Sequence, residues 1–206
     1  QYSTGVVFAD VNNDGWLDIY ISNAGNMNNT ALRQNQLYIN NHNLTFTERA
    51  AEYGLADAGY TTQASFFDYD LDGDLDLYLV NQPPNHNTTR DSLMALDIPH
   101  YQYTSRLYRN NGNETFTDIT DQAGVKSYAF GLSATIGDFF NDGHPDIYVA
   151  NDYIANDILW LNNKNGTFSN IISTSLKHQS YNSMGVDAAD INNDGLEDFF
   201  VADMAV

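Results

Sequence analysis

One nine-residue loop, Asp-x-Asn/Asp-x-Asp-Gly-x-x-Asp, recurs four times along these 206 residues, and any fold must repeat with it. The copies begin at Asp10, Asp68, Asp138 and Asp190, so they are spaced 58, 70 and 52 residues apart. Each is preceded by a short apolar run (6–9, 64–67, 133–136, 186–189) and followed by another (19–21, 77–80, 147–150, 199–202). A third run, ending in Asn-Asn, covers 37–41, 107–111 and 159–163, and a fourth begins at Phe46, Phe116 and Phe168. These runs are rich in aromatic and β-branched residues and bounded by Asn, Asp and Gly, which is a strand signature. Four strands per unit, repeated every 50 to 70 residues, predict an all-β chain of β-propeller blades, each of four antiparallel strands. A β-solenoid would repeat at shorter intervals. The blades are expected at about 5–55, 61–125, 131–175 and 183–206, the last incomplete. About three and a half blades amount to half of a seven-bladed ring, so the chain reads as a fragment of a longer one. Gln1 in place of an initiator Met agrees with that expectation.

The loop spacing points to a cation. The candidate ligands are Asp10, Asn12, Asp14, Trp16 and Asp18; Asp68, Asp70, Asp72, Asp74 and Asp76; Asp138, Asp142, His144 and Asp146; and Asp190, Asn192, Asp194, Leu196 and Asp198. Loop positions 1, 3, 5 and 9 offer side-chain oxygens. The seventh (Trp16, Asp74, His144, Leu196) would offer its backbone carbonyl, since its side chain varies. Gly at the sixth position allows a turn that a Cβ would oppose. Hard oxygen donors in a short loop suit Ca²⁺ better than Zn²⁺, and better than Mg²⁺ with its stricter geometry. Up to four ions are expected. The Asp138 site is the weakest, because Phe140 replaces the polar third residue. An EF-hand is excluded, since its twelfth position requires Glu and here holds Ile21, Leu79, Val149 and Val201.

Composition supports a cation rather than a polyanion as partner. The formal charge is −19, with 23 Asp against only 4 Glu, and 14 of those Asp lie in the four loops. Such a charge repels nucleic acid and anionic lipid. No apolar run is long enough to insert in a membrane. Cysteine is absent, so neither disulfides nor thiol chemistry contributes.

These motifs resemble the FG-GAP or VCBS repeat, the blade unit of integrin α-subunits and of many secreted bacterial proteins. The stretches 66–81, 106–111 and 183–190 are similar to the ASPIC/UnbV branch, which includes cartilage acidic protein-like chains. The resemblance implies a secreted, cell-surface or periplasmic location, structural Ca²⁺, a role in protein interaction or adhesion, and no catalytic chemistry. A protein or glycan partner is expected on the face carrying residues 24–34 and 82–104, the latter with Pro83, Pro84, His86, Tyr101 and Tyr103. Carbohydrate binding is the alternative, and a polysaccharide lyase or hydrolase a more remote one. The five His are scattered, Gly131-Leu-Ser133 lacks the second Gly of a nucleophile elbow, and no phosphate-cradling loop is present. Asp152, Asp157, Asp187 and Asp203 lie beside strands and are read as capping residues. Five Asn-x-Ser/Thr sequons begin at Asn28, Asn43, Asn87, Asn113 and Asn165.

Overall fold

The computed structural model describes residues 2–25, 29–84, 102–153 and 155–204. His86, Tyr101, Asn28 and Asn87 lie outside the described residues, as do 26–28 and 85–101 of the expected partner face. Three sheets have four antiparallel strands in sequential order. The first holds β1 (Ser3–Ala9), β2 (Asp18–Asn23), β3 (Gln36–Asn40) and β4 (Phe46–Glu48). The second holds β5 (Thr61–Phe67), β6 (Asp76–Asn81), β7 (Arg106–Asn110) and β8 (Phe116–Asp118). The third holds β9 (Phe130–Gly137), β10 (Asp146–Asp152), β11 (Ile158–Asn162) and β12 (Phe168–Asn170). The fourth is the pair β13 (Ser183–Ala189) and β14 (Asp198–Asp203).

The repeated loop closes each β1–β2-type hairpin in one register. Ala9 faces Asp18, Phe67 faces Asp76, Gly137 faces Asp146 and Ala189 faces Asp198. The ninth loop residue is therefore always the first residue of the second strand. One-turn helices follow the fourth strands: α1 (Ala50–Tyr53), α2 (Thr120–Ala123) and α3 (Ile172–Ser175). Four residues are too few to show a helical period in sequence. Packing holds them instead, through buried Ala50, Tyr53, Ala123 and Ile172.

The core lies between sheets, not within a single one. Tyr20, Leu37 and Tyr53 pack on Leu77 and Leu79; Tyr78, Val80 and Leu107 pack on Ile147, Val149 and Trp160; and Tyr148 and Leu159 meet Phe199 and Val201. This face-to-face stacking is the propeller arrangement. It explains why β6 is buried at every residue, whereas β2, covered by a sheet on one side, is not. Polar groups tie the blades together. Asn110 Nδ2 donates to Val11 O at 3.1 Å, Asn162 Nδ2 to Tyr69 O at 2.8 Å, and the Gln63 amide exchanges two hydrogen bonds with the Ala134 backbone. The sequons at Asn43, Asn113 and Asn165 share one turn, where each Asn Oδ1 accepts from the Thr hydroxyl two residues on.

The fourth loop residue is left-handed in every copy: Asn13 (φ 59°), Leu71 (φ 61°), Asn141 (φ 52°) and Asn193 (φ 61°). Asn tolerates this region, whereas the Leu Cβ is crowded there at a cost of about 1–2 kcal/mol. Leu71 is also half exposed, so it returns little packing. Leu71→Asn is expected to raise stability by about 1 kcal/mol. A urea midpoint that falls or stays put would contradict this.

Candidate metal centre

Each loop is folded by its own carboxylates. The first-position Asp takes the backbone N–H groups of positions 5 and 6. Asp10 accepts from Asp14 and Gly15 (3.0 and 2.7 Å), and Asp68 from Asp72 and Gly73 (3.1 and 2.9 Å). Asp138 accepts from Asp142 and Gly143 (2.8 and 2.7 Å), and Asp190 from Asp194 and Gly195 (3.0 and 2.9 Å). The fifth-position Asp then accepts from the N–H of position 7, that is from Trp16, Asp74, His144 or Leu196. The Gly between them stands at φ 82° to 95°, which keeps the turn tight.

The ninth-position Asp is built into the blade. Asp76 accepts from Tyr69 N–H (3.1 Å) and from Asn110 N–H at the end of β7 (2.8 Å). Asp18 does the same with Val11 and Asn40, at 3.1 and 2.9 Å. Asp146 accepts from Asn162 N–H at 2.8 Å, but its Oδ2 is buried without a hydrogen-bond partner. Asp198 accepts from Ile191 N–H at 3.3 Å.

In the second loop, ligand atoms of Asp68, Asp70 and Asp76 all lie within 4.8 Å of one another. Among the described residues it is the one group of three or more His, Cys, Asp and Glu side chains so gathered. Asp72 and Asp74, expected beside them, are not in that trio. Asp72 caps Asp74 N–H, and Asp74 Oδ1 accepts from Asn13 Nδ2 of the neighbouring blade at 2.9 Å. In the first loop, Asn12 Nδ2 and His42 Nε2 both meet Asp14 Oδ2 at 2.9 Å, and His42 stacks on Trp16. In the third, Lys164 Nζ lies 3.2 Å from Asp142 Oδ2, and Phe140 is half exposed. In the fourth, Asn192 Oδ1 accepts from Asp194 N–H and the Leu196 side chain faces solvent. His42, Lys164 and the capping Asn residues escaped the sequence reading. The Asn-Asn ending of each third strand was their only visible trace.

Electrostatics favour a cation here. Burial pushes the Asp76 carboxyl up to about 7, and the nearby charges of Asp70 and Asp72 add to it against two backbone N–H bonds. Burial likewise pushes Asp146 up to about 6 and raises Asp18 and Asp70. Carboxylates facing one another, with Asp76 buried, Asp68 half-buried and Asp70 exposed, are stabilised by a hard divalent ion, and Arg109 is the basic side chain lining the same pocket as Asp70. The donor set fits such an ion. In the first loop the His42 contact, more than any other cause, lowers Asp14 instead.

Other expected residues serve the framework. Asp157 Oδ1 caps Asn151 N–H, and its Oδ2 accepts from Tyr148 and Ser183 hydroxyls at 2.7 and 2.8 Å. Asp187 caps Ala188 N–H, and Asp203 accepts from Ser180. Asp152 ends β10 with its Oδ1 buried and without a hydrogen-bond partner. On the expected partner face, Tyr103 is fully buried against Phe130 and Tyr128, so it belongs to the core and not to a recognition surface. Arg33 is buried too, donating to Ala58 O and lying 4.3 Å above the Tyr60 ring. A cavity of about 490 Å³ opens between the third blade and the segment leading into it, lined by Lys126, Tyr128, Asn156, Trp160, Asn170 and Ser173 among others. No helix among the described residues is long and apolar enough to cross a membrane.

The family model of the FG-GAP-like repeat matches three times, over residues 10–79, 89–149 and 138–201. No curated protein matches the chain. Among solved structures it is similar to an Agrocybe aegerita lectin, described as specifically recognising non-reducing terminal N-acetylglucosamine. The TM-score is 0.53 at 18% identity, covering 98% of this chain and 47% of the lectin. The chain thus spans about half the length of that lectin, and at this identity the likeness concerns the fold.

Proposed function

Since the chain belongs to the FG-GAP-like repeat family, we propose that it is a calcium-stabilised propeller module for protein interaction or adhesion outside the cytoplasm. The Asp68, Asp70 and Asp76 cluster carries the reading, because it gathers three hard oxygen donors within one loop. Extracellular calcium modules typically bind at about 10⁻⁴ to 10⁻³ M, so such sites fill where calcium is near millimolar. That argues for a secreted, cell-surface or periplasmic protein. Calcium here is structural, and the module is non-catalytic. Two buried carboxylates away from the loops are already engaged: Asp57 by the Tyr108 hydroxyl and Arg106, Asp157 by Tyr148 and Ser183.

A glycan ligand is the second reading. The cavity beside Tyr128 and Trp160 supports it, offering aromatic surface with Asn and Ser side chains around it. The lectin's similarity adds a shared fold, not a shared ligand. Labelled protein is expected to bind cell surfaces in calcium and to lose binding in chelator. Binding that survives glycosidase but not protease treatment of the cells supports the protein reading. The reverse, with hits on a glycan array, supports the sugar. No binding to any surface in calcium would overturn both.

A further inference from the structure

The loops differ in one place that their own sequences do not show, the turn between the third and fourth strands. Its third residue is His42 in the first blade, Gly112 in the second and Lys164 in the third. All three are left-handed, at φ 62°, 68° and 61°, and each N–H donates to the Asn two residues before it. The backbone therefore presents this residue to the metal loop in the same way each time, and only the side chain differs.

We infer that Lys164 is the resident cation of the third loop, its ammonium paired with the fifth loop residue in place of a divalent ion. This rests on the proposed calcium reading and assigns it blade by blade. Lys164 Nζ lies 3.2 Å from Asp142 Oδ2 and donates at 3.2 Å to Asp142 O, so it grips the fifth loop residue twice. The same loop has Phe140 where the others offer an oxygen, so a metal would find a poorer donor set there. In the second loop Gly112 adds no side chain, and Arg109 of β7, which lines the same pocket as Asp70, Asp72 and Asp74, forms no ion pair with these described residues. A Cβ at Gly112 would already stand 3.0 Å from Asp74 Oδ2. That open turn coincides with the gathered cluster of Asp68, Asp70 and Asp76. A tethered ammonium and a divalent ion cannot share one small carboxylate set, because like charges a few ångströms apart repel strongly. The divalent ion remains the competing occupant in the third loop, where Asp138 and Asp146 would meet it.

The test is a calorimetric count of calcium ions on the whole chain and four variants. Asp138→Ala, which opens the third loop, should leave the count unchanged, whereas Asp68→Ala should lower it by one. Gly112→Lys should weaken the second-loop site about tenfold or more. Lys164→Gly with Phe140→Asp should add one ion. A fall in the count on Asp138→Ala overturns the inference. The chain has only three lysines, so a reading without any variant is available. After ¹³C-methylation of the lysines, the Lys164 resonance should stay fixed as calcium is added. A shift as an ion enters would overturn the inference. An absence of any calcium binding would overturn the parent reading instead, and the two failures are told apart by the wild-type count.

Discussion

On the proposed calcium reading, chelation is expected to lower the melting temperature of the chain by about 5 to 11 °C for each site emptied from a hundredfold excess over its dissociation constant. That excess stabilises the folded state by about 2.7 kcal/mol per site, and a domain of this size shifts by about 2–4 °C per kcal/mol. Asp76→Ala should reproduce part of the loss at a single residue. Its carboxylate caps the Tyr69 and Asn110 N–H groups, and a stranded buried donor costs about 1–3 kcal/mol. The variant also loses a ligand oxygen of the one gathered cluster, so its remaining response to calcium should shrink. Asp121→Ala is the control. Asp121 is paired with Lys126 at the surface, and its loss should change stability by less than about 0.5 kcal/mol. Equal melting with and without calcium, in wild type and Asp76→Ala alike, would mean that the loops are plain turns.

Much of this was legible because the repeat is local. The hairpin register follows from the loop, since Asp18, Asp76, Asp146 and Asp198 each open a second strand in the same place. Strand alternation and the Asn-Asn endings located the third and fourth strands for the same reason. The rest depends on contacts between distant residues. Asn13 reaches Asp74 in the next blade and turns it toward the neighbour, and the spacing of the loop holds no sign of that. Lys164 and His42 belong to turns that looked like ordinary punctuation between strands. Tyr103 sat in a long irregular segment, where an aromatic suggests a binding surface, yet it fills a gap beside Phe130. The trio Asp68, Asp70 and Asp76 also departs from a simple reading of positions. The fifth-position Asp72 lies outside it, although the spacing places it among the ligands.

The metal-free chain should lose stability as pH rises, the opposite of the usual behaviour of a salt-bridged carboxylate. Asp76 is pushed up to about 7 when folded, against an ordinary value of 3.8. Between those values the folded chain holds a proton that the unfolded chain has released. Stability therefore falls from about pH 4 to about pH 7 and levels off above, by roughly 4 kcal/mol if Asp76 acts alone. Asp146, pushed up to about 6, acts in the same direction over a lower window. Calcium should reverse the slope. The ion replaces the proton at Asp76, so acid displaces calcium, and the calcium-loaded chain gains stability from pH 5 to pH 8. Urea midpoints at the two pH values, in chelator and in calcium, should therefore cross. General repulsion at a charge of −19 also weakens the metal-free chain as pH rises, so one variant must separate the causes. Asp76→Asn cannot ionise and should flatten most of the metal-free profile while leaving the net charge almost as before. If the variant keeps the wild-type slope, the buried carboxylate is not its source, and the cation is then needed for the overall charge and not for this cluster.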